Sequence, residues 1–358
     1  MYMRNRNEGL DLLRLICAFL VICNHAIFPR PLGSYIGVLA RIVIPIFFMI
    51  TGYFSLVRTS QGDALSAERA SDDWSVRGGG KELLKILKLI LFSSALYFAI
   101  GICDHLADGT VIKYVHKVIS SKALLDMLIF NKPIAGFHLW YLFALLYATI
   151  FITLMDKVKL RKLLYILTPF LIVSDLVLGR YSFFFFGRTF PVVYTRNWLF
   201  FGVPNLCLGM MLKEYDIVER TRKYRSTIAC ITPFLIFGIF LEYKLLLGTL
   251  AKGARENYIF LVLSSVPVFI LFAQMPRLQC DFHRHIADMG RELSAGIYII
   301  HLFFLQHLGP LVKQLGVIRL YRQIRPIIIF ILSAAVIWLY NAIKKRFIAA
   351  HKPSGSIS

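Results

Sequence analysis

Apolar positions along this chain fall into long unbroken runs, not into alternating strands or narrow helical stripes. Runs of about 16–22 residues are separated by short basic segments, which is the pattern of a polytopic helical membrane protein. Crossing a bilayer takes about 20 residues at 1.5 Å each. The pattern therefore predicts an all-α polytopic membrane protein, a bundle of about ten transmembrane helices. They fall near 8–28, 35–57, 82–103, 138–155, 163–178, 198–212, 227–247, 257–275, 291–309 and 326–343. An even span count puts both termini on one side. The Lys/Arg bias of the loops assigns that side to the cytoplasm. Residues 1–350 read as one transmembrane domain and 351–358 as a short polar tail.

The long loops refine this outline. Segment 58–81 carries mixed charge without apolar periodicity and ends in Gly78-Gly79-Gly80, so a flexible cytoplasmic loop is expected. Segment 104–137 contains VIKYVHKVI and ALLDMLIF, short patterns suited to interfacial helices on the outer side. Segment 179–197 is aromatic, with Arg180, Arg188 and Arg196. Such a segment suits either a sugar-like acceptor or an aromatic belt at the membrane surface. No internal repeat stands out, so the inverted-repeat signature of many transporters is missing.

Composition supports the membrane reading. The chain is 58% hydrophobic and 17% charged, whereas a soluble domain sits near about 25% charged. A net charge of +21 would suggest nucleic acid in a soluble protein. Here the cations sit at span ends and in loops, where they set topology and meet anionic lipid headgroups. No compact basic domain is present to bind nucleic acid. Cys17, Cys23, Cys103, Cys207, Cys230 and Cys280 form no CxxC pair and lie mostly in apolar runs, so neither disulfide nor metal site is expected. Asp11 and Arg14 interrupt what would otherwise resemble a signal peptide, and the first run reads as a retained span.

That first run, EGLDLLRLICAFLVICNHAIF, holds the strongest chemical signal. A charge at mid-membrane costs roughly 2.5–3.5 kcal/mol, so Asp11, Arg14 and His25 are functional candidates. Arg14 and His25 are about three helical turns apart, on one face and roughly 16 Å apart along the axis. His25 has the chemistry of a general base. Asp11 lies too far along the helix to orient His25, so an orienting partner must come from another helix. Asp11 and Arg14 can pair at i, i+3, snorkel to the surface or lock the helix to a neighbour.

Other candidates recur along the chain. Lys81, Lys85 and Lys88 place a basic face at the start of the third span, either for an anion such as a nucleotide phosphate or for topology alone. His138 and Trp140 open the fourth span as HLWYLFALL, suited to a substrate contact or to an interfacial anchor. His301 lies deep in GIYIIHLFFL and needs a polar partner, as interhelical glue or as part of an acid–base cavity. In the second span, Pro45 should bend the helix and Gly52 permits close packing.

These stretches together resemble the acyltransferase-3 family of integral-membrane acyltransferases, of the kind that O-acetylate cell-surface glycans. The matching segments are LDLLRLICAFLVICNH at 10–25, IFFMITGYF at 46–54, KILK at 85–88, HLWYL at 138–142 and LSAGIYIIH at 293–301. The resemblance implies a multi-pass protein of a bacterial plasma membrane. It implies transfer of an acyl group from cytoplasmic acyl-CoA, usually acetyl-CoA, to a hydroxyl of a surface glycan or lipid-linked precursor. It maps the catalytic base onto His25 and the donor contacts onto Arg14, Lys85 and Lys88. The family's Arg-x-x-Arg is Lys-x-x-Lys here, which keeps charge but loses the bidentate fork. Asp11, His138, Trp140 and His301 are expected to support the site or bind substrate. Many relatives carry a fused esterase-like domain at the C-terminus. None follows here, so a separate protein is expected for any second step. The rival reading is a secondary transporter or flippase for an anionic or glycan substrate, which would share the buried Arg and His but need no thioester. A non-catalytic scaffold would leave both residues unexplained.

Overall fold

A computed structural model describes residues 6–58, 74–76, 79–106, 108–247, 257–276 and 280–350. Each of the ten apolar runs is helical. Among the described residues, six helices are long and apolar enough to cross a membrane: Leu32–Ser55, Glu82–Leu106, Phe137–Lys157, Arg222–Leu247, Asp281–Gln314 and Ile318–Ile348. This is a multi-pass helical membrane protein. The four other runs differ for physical reasons. Helices α1 (Glu8–His25) and α8 (Arg161–Leu178) each carry three charges in 18 residues. Helices α10 (Val203–Glu214) and α13 (Ile259–Ala273) have only 12 and 15 residues.

The chain packs as two compact units. One comprises Asn7–Val43 and Met275–Ser358; the other comprises Ile44–Gln274 with the first six residues.

The first unit contains α1, α2 (Leu32–Leu39), α14 (Asp281–Gln314) and α15 (Ile318–Ala350). Asn7 caps α1, its side chain accepting from Leu10 N–H at 2.9 Å. Its buried positions Leu10, Asp11, Ala18, Val21 and Ile22 recur at helical spacing. Ala18, Ile22 and Ala26 close a core with Leu293 and Ile297 of α14 and Ile329 and Ala334 of α15. Small residues let α14 approach α1: Ala287, Gly290 and Ser294 are all buried. A β-carbon at Gly290 would strike the Asp11 carbonyl oxygen. Helix α14 begins ten residues before the apolar run, because its polar first turns (DFHRHIADMGRE) are helical too. Glu292 of this segment holds α15, accepting from Lys345 at 2.9 Å.

The second unit holds α3 (Val43–Ser55), α4 (Gly79–Leu106), α5 (Val111–Val118), α6 (Ser121–Phe130), α7 (Trp140–Lys157), α8, α9 (Ser182–Phe186), α10, α11 (Ile217–Arg220), α12 (Arg225–Leu247) and α13. A 3-10 turn, Ala40–Ile42, precedes α3. Pro45 removes the bond that Arg41 C=O would otherwise accept, so the helix tightens one turn before the proline. Gly52 lets α3 meet α10: its β-carbon would strike Leu206 O, and one at Gly209 would strike Met49 O.

One element differs from the sequence reading and one agrees with it. The ends of the expected loop 58–81 pair as a hairpin, β1 (Leu56–Arg58) against β2 (Trp74–Val76), antiparallel; residues 59–73 lie outside the described set. The hairpin is held by Arg161, whose guanidinium donates to Trp74 O at 2.7 Å and to Asp156 at 2.5 Å. Arg161 also reaches Glu214 at 3.2 Å, and Tyr165 donates to the same carboxylate at 2.6 Å. In segment 104–137, both expected short helices form, as α5 and α6. Ile112, Ile119, Leu125, Leu128 and Ile129 leave exposed apolar side chains there, as an interfacial position requires.

Candidate active site

The first unit brings together the two histidines that sequence alone could not join. His25 closes the last turn of α1, and His301 lies on α14 with no exposed surface. Their ring centroids are 5.3 Å apart, with planes inclined at 38°. The Nδ1 of His301 lies 2.8 Å from Tyr298 O and 3.2 Å from Ile297 O. A carbonyl only accepts, so Nδ1 carries the proton in the neutral ring and Nε2 is its basic nitrogen. Tyr298 also flanks the ring, at 6.2 Å between centroids.

The other end of α1 is ionic. Arg14 donates to Asp11 at 2.7 Å, and the Asp11 side chain is only 4% exposed against 24% for Arg14. Of the options open to this pair, the structure shows one, the ion pair; the contact of α1 with Gly290 is made by the Asp11 main-chain carbonyl and not by its carboxylate. Neutralising Arg14 beside a buried carboxylate makes a cation tolerable on an apolar helix. Arg14 keeps enough exposed surface to meet an anion. Asp11 lies beside Gly290 and His25 beside His301, so the two helices run in the same direction.

The remaining sequence candidates lie in the second unit. Lys85 and Lys88 are exposed on α4, and Lys85 is paired with Glu82 at 2.8 Å. His138 sits in a 3-10 turn, Phe137–Leu139, just ahead of α7 rather than on its face. It is 2% exposed and packs edge-on to Tyr97 at 4.7 Å. Trp140 receives the Arg196 guanidinium 5.0 Å over its ring and Phe201 at its edge. These two residues thus have dense aromatic surroundings in which an anchor role and a binding role look alike. Among the described residues, no three His, Cys, Asp or Glu side chains gather as a metal site.

The aromatic segment 179–197 divides in two. Phe184, Phe185 and Phe186 are exposed, as in a membrane-surface belt. Phe190 and Tyr194 instead help line a cavity of about 450 Å³ with Phe130, Leu178, Trp198 and Phe200. Asn197 also faces it: Oδ1 accepts from Leu199 and Phe200 N–H, and one of the two Nδ2 hydrogens goes to Tyr194 O. The other lining side chains are apolar or aromatic.

Sequence reasoning passed over a buried polar cluster in this unit. Glu242 of α12 accepts from Ile259 and Phe260 N–H at 2.9 and 3.0 Å, capping α13, and is bonded by Tyr181. Asn257 bonds Asp175, while Arg180 donates to Asn257 O at 3.1 Å and lies 3.8 Å over the Tyr258 ring. The signal that could have found it was a carboxylate, Glu242, in an otherwise apolar run. Its partners satisfy helix ends, which makes it structural.

Comparison with known proteins agrees with the reach of these motifs. The acyltransferase-3 family model, described as an acyltransferase domain, matches residues 7–342. Two curated relatives are an amino-acid racemase of Enterococcus faecalis, 26% identical over 84% of this chain, and a serine/alanine racemase of Enterococcus gallinarum, 22% identical over 94%. The chain spans only 41% and 46% of those two proteins. No solved structure matches it.

Proposed function

We propose that this chain, which belongs to the acyltransferase-3 family, is a membrane O-acyltransferase that uses His25 as general base. The observation that carries this reading is α1 itself. One helix bears a partly exposed arginine near its start and, three turns on, a histidine in ring contact with a second, buried histidine. In the proposed reaction the acceptor hydroxyl attacks the thioester carbonyl of acyl-CoA, with acetyl-CoA as the first donor to test. The C–O bond forms, His25 takes the hydroxyl proton, and the C–S bond breaks with its electron pair leaving on sulfur. The proton then passes from His25 to the thiolate. Held in a dry bundle, such a base contributes about 10²–10⁴ in rate.

Arg14 is assigned to the anionic part of the donor. Lys85 and Lys88 are assigned to CoA phosphate by charge and family position alone. Asp11 is assigned to hold Arg14, while His138 and Trp140 are assigned to substrate contacts. The acceptor class is the hydroxyl of a surface glycan or a lipid-linked sugar; the racemase names of the two relatives add a free amino acid such as serine to the acceptors worth testing. The same reading includes ten spans, both termini in the cytoplasm and residence in a bacterial plasma membrane, which terminal reporter fusions would check.

The decisive assay is thiol release from acetyl-CoA by the purified full chain with each acceptor. His25→Ala is expected to abolish acceptor-dependent release. Full release by that variant removes the base assignment, and substrate flux without thiol release replaces the reading with transport.

A further inference from the structure

We propose that His301 is a positioning residue for His25: from α14 it accepts the N–H of the His25 ring, which leaves the opposite His25 nitrogen bare for the acceptor hydroxyl. The inference rests on the acyl-transfer reading above and goes beyond it, because that reading needs only one histidine.

A lone imidazole is a poor base unless its tautomer and direction are fixed, which is why nucleophile–base pairs elsewhere recruit a third group. Asp11 cannot serve, being about 21 Å along the helix from His25. The partner has to come from another helix, and α14 supplies it. The Tyr298 carbonyl, at 2.8 Å, fixes the proton of His301 on Nδ1. The ring's acceptor is then Nε2, on the edge opposite Tyr298 O. The 5.3 Å centroid separation is informative. An N–H···N bond of about 3 Å, with roughly 1 Å from each centroid to its nitrogen, separates two imidazoles by about this distance. A parallel face-to-face sandwich would bring them closer, whereas these planes are inclined at 38°. The separation is thus one that an edge-to-edge hydrogen bond can span.

Electrostatics favour the same arrangement. Two imidazolium rings so close would repel each other, and the proposed step never requires both to be charged. His301 is wholly buried and His25 only partly, so the charge is better placed on His25. His301 stays neutral throughout and exchanges no proton overall. It accepts the N–H of His25 before capture and holds the imidazolium after it. The neighbouring core is apolar, with Ile22, Ala26 and Ile297 wholly buried.

The test uses the purified full chain, acetyl-CoA as donor and a panel of polysaccharide, lipid-linked oligosaccharide and free serine as acceptors. His301→Leu is expected to lower kcat by about 10²–10⁴ while leaving the KM for acetyl-CoA within about twofold. His301→Gln, whose amide oxygen can occupy the Nε2 position, should retain a rate between the two. His301→Asn reaches only the Nδ1 position and should resemble His301→Leu. This Gln-over-Asn order distinguishes positioning from mere packing, and it remains readable if His301→Leu fails to fold. Equal rates for the Gln and Asn variants, or a folded His301→Leu with the parent kcat, would overturn the assignment. If His25→Ala is inactive in that same experiment, acyl transfer by His25 survives and only the pairing is lost. If His25→Ala is also fully active, the acyl-transfer reading itself falls.

Discussion

Replacing Gly290 with alanine adds one methyl group at the seam between α1 and α14. A β-carbon built there overlaps the Asp11 carbonyl oxygen and lies 2.9 Å from the Asp11 carbonyl carbon and 3.2 Å from Leu15 Cβ. Carbon atoms pack best at about 3.5–4.0 Å, so α1 must recede on the order of 1 Å. The obstacle is main chain, which cannot rotate aside as a side chain would. Overpacking of this kind costs about 1–3 kcal/mol. The wedge sits about 16 Å along α14 from His301, so it pries apart the two helices whose far turns hold the histidine pair. A displacement of about 1 Å at a reacting pair can cost about 10²-fold in rate.

The assay follows from the cysteines. Cys17 and Cys23 are buried on α1, whereas Cys103, Cys230 and Cys280 are exposed. In a background with the three exposed thiols replaced by serine and the buried Cys207 of α10 by alanine, a thiol-reactive dye reports separation of α1 during a thermal ramp. Gly290→Ala is expected to label at lower temperature and to release thiol from acetyl-CoA about 10²-fold more slowly. Gly309→Ala, on the same helix with nothing within 4 Å of the added carbon, is the control. It should be neutral or gain about 0.5–1 kcal/mol from helix propensity. A Gly290→Ala protein with the parent's labelling temperature would refute the close packing of these helices.

Three further outcomes are expected. Arg161→Met removes the buried cation that pairs with part-exposed Asp156 and Glu214 and should cost about 2–3 kcal/mol, with Arg161→Lys restoring little because one ammonium cannot also reach Trp74 O; a thermal midpoint near the parent's would contradict this. Gly52→Ala and Gly209→Ala each push side-chain carbon into the other helix's main chain and should each cost about 1–3 kcal/mol, while the double variant should cost less than the sum because one displacement relieves both. Glu219 accepts two bonds of 2.7 Å from Arg222, which hold its carboxyl below the ordinary 4.5. A depressed carboxylate stabilises above its ordinary value and loses that contribution as pH falls through its folded value; for this exposed pair it is under about 1 kcal/mol, so Glu219→Gln should lower the midpoint slightly at pH 7 and not at all at strongly acidic pH.

Much of the helical plan was legible because the bilayer makes one demand of every span, a run of about 20 apolar residues. What local pattern could not supply were helix extensions and long-range partners. The first turns of α14 are polar and look like loop, yet Gly290 and Ala287 within them pack against α1. The hairpin Leu56–Val76 is invisible to periodicity at three residues a strand; it exists because Asp156 and Arg161, some eighty residues on, accept and donate its main-chain bonds. The division of the chain into two units is likewise a property of contacts between distant segments.

The candidate site sharpens that contrast. Each of its residues was legible alone, since Arg14, His25 and His301 violate the composition of the runs that hold them. The charges of Glu8, Asp11 and Arg14 even remove α1 from the helices that look able to cross a membrane on composition. The structure resolves the conflict by pairing. Arg14 is offset by Asp11, the main chain at Asp11 packs on a glycine, and His25 meets a histidine already committed to a carbonyl. A polar helix of this kind is costly unless its neighbours are built for it, and α14 is so built: small residues where α1 must approach, and a histidine where His25 ends. The complement is spread over a stretch nearly 300 residues away, so no window of sequence contains it. What can be read locally is only the cost, and that cost is the reason to look for the partner.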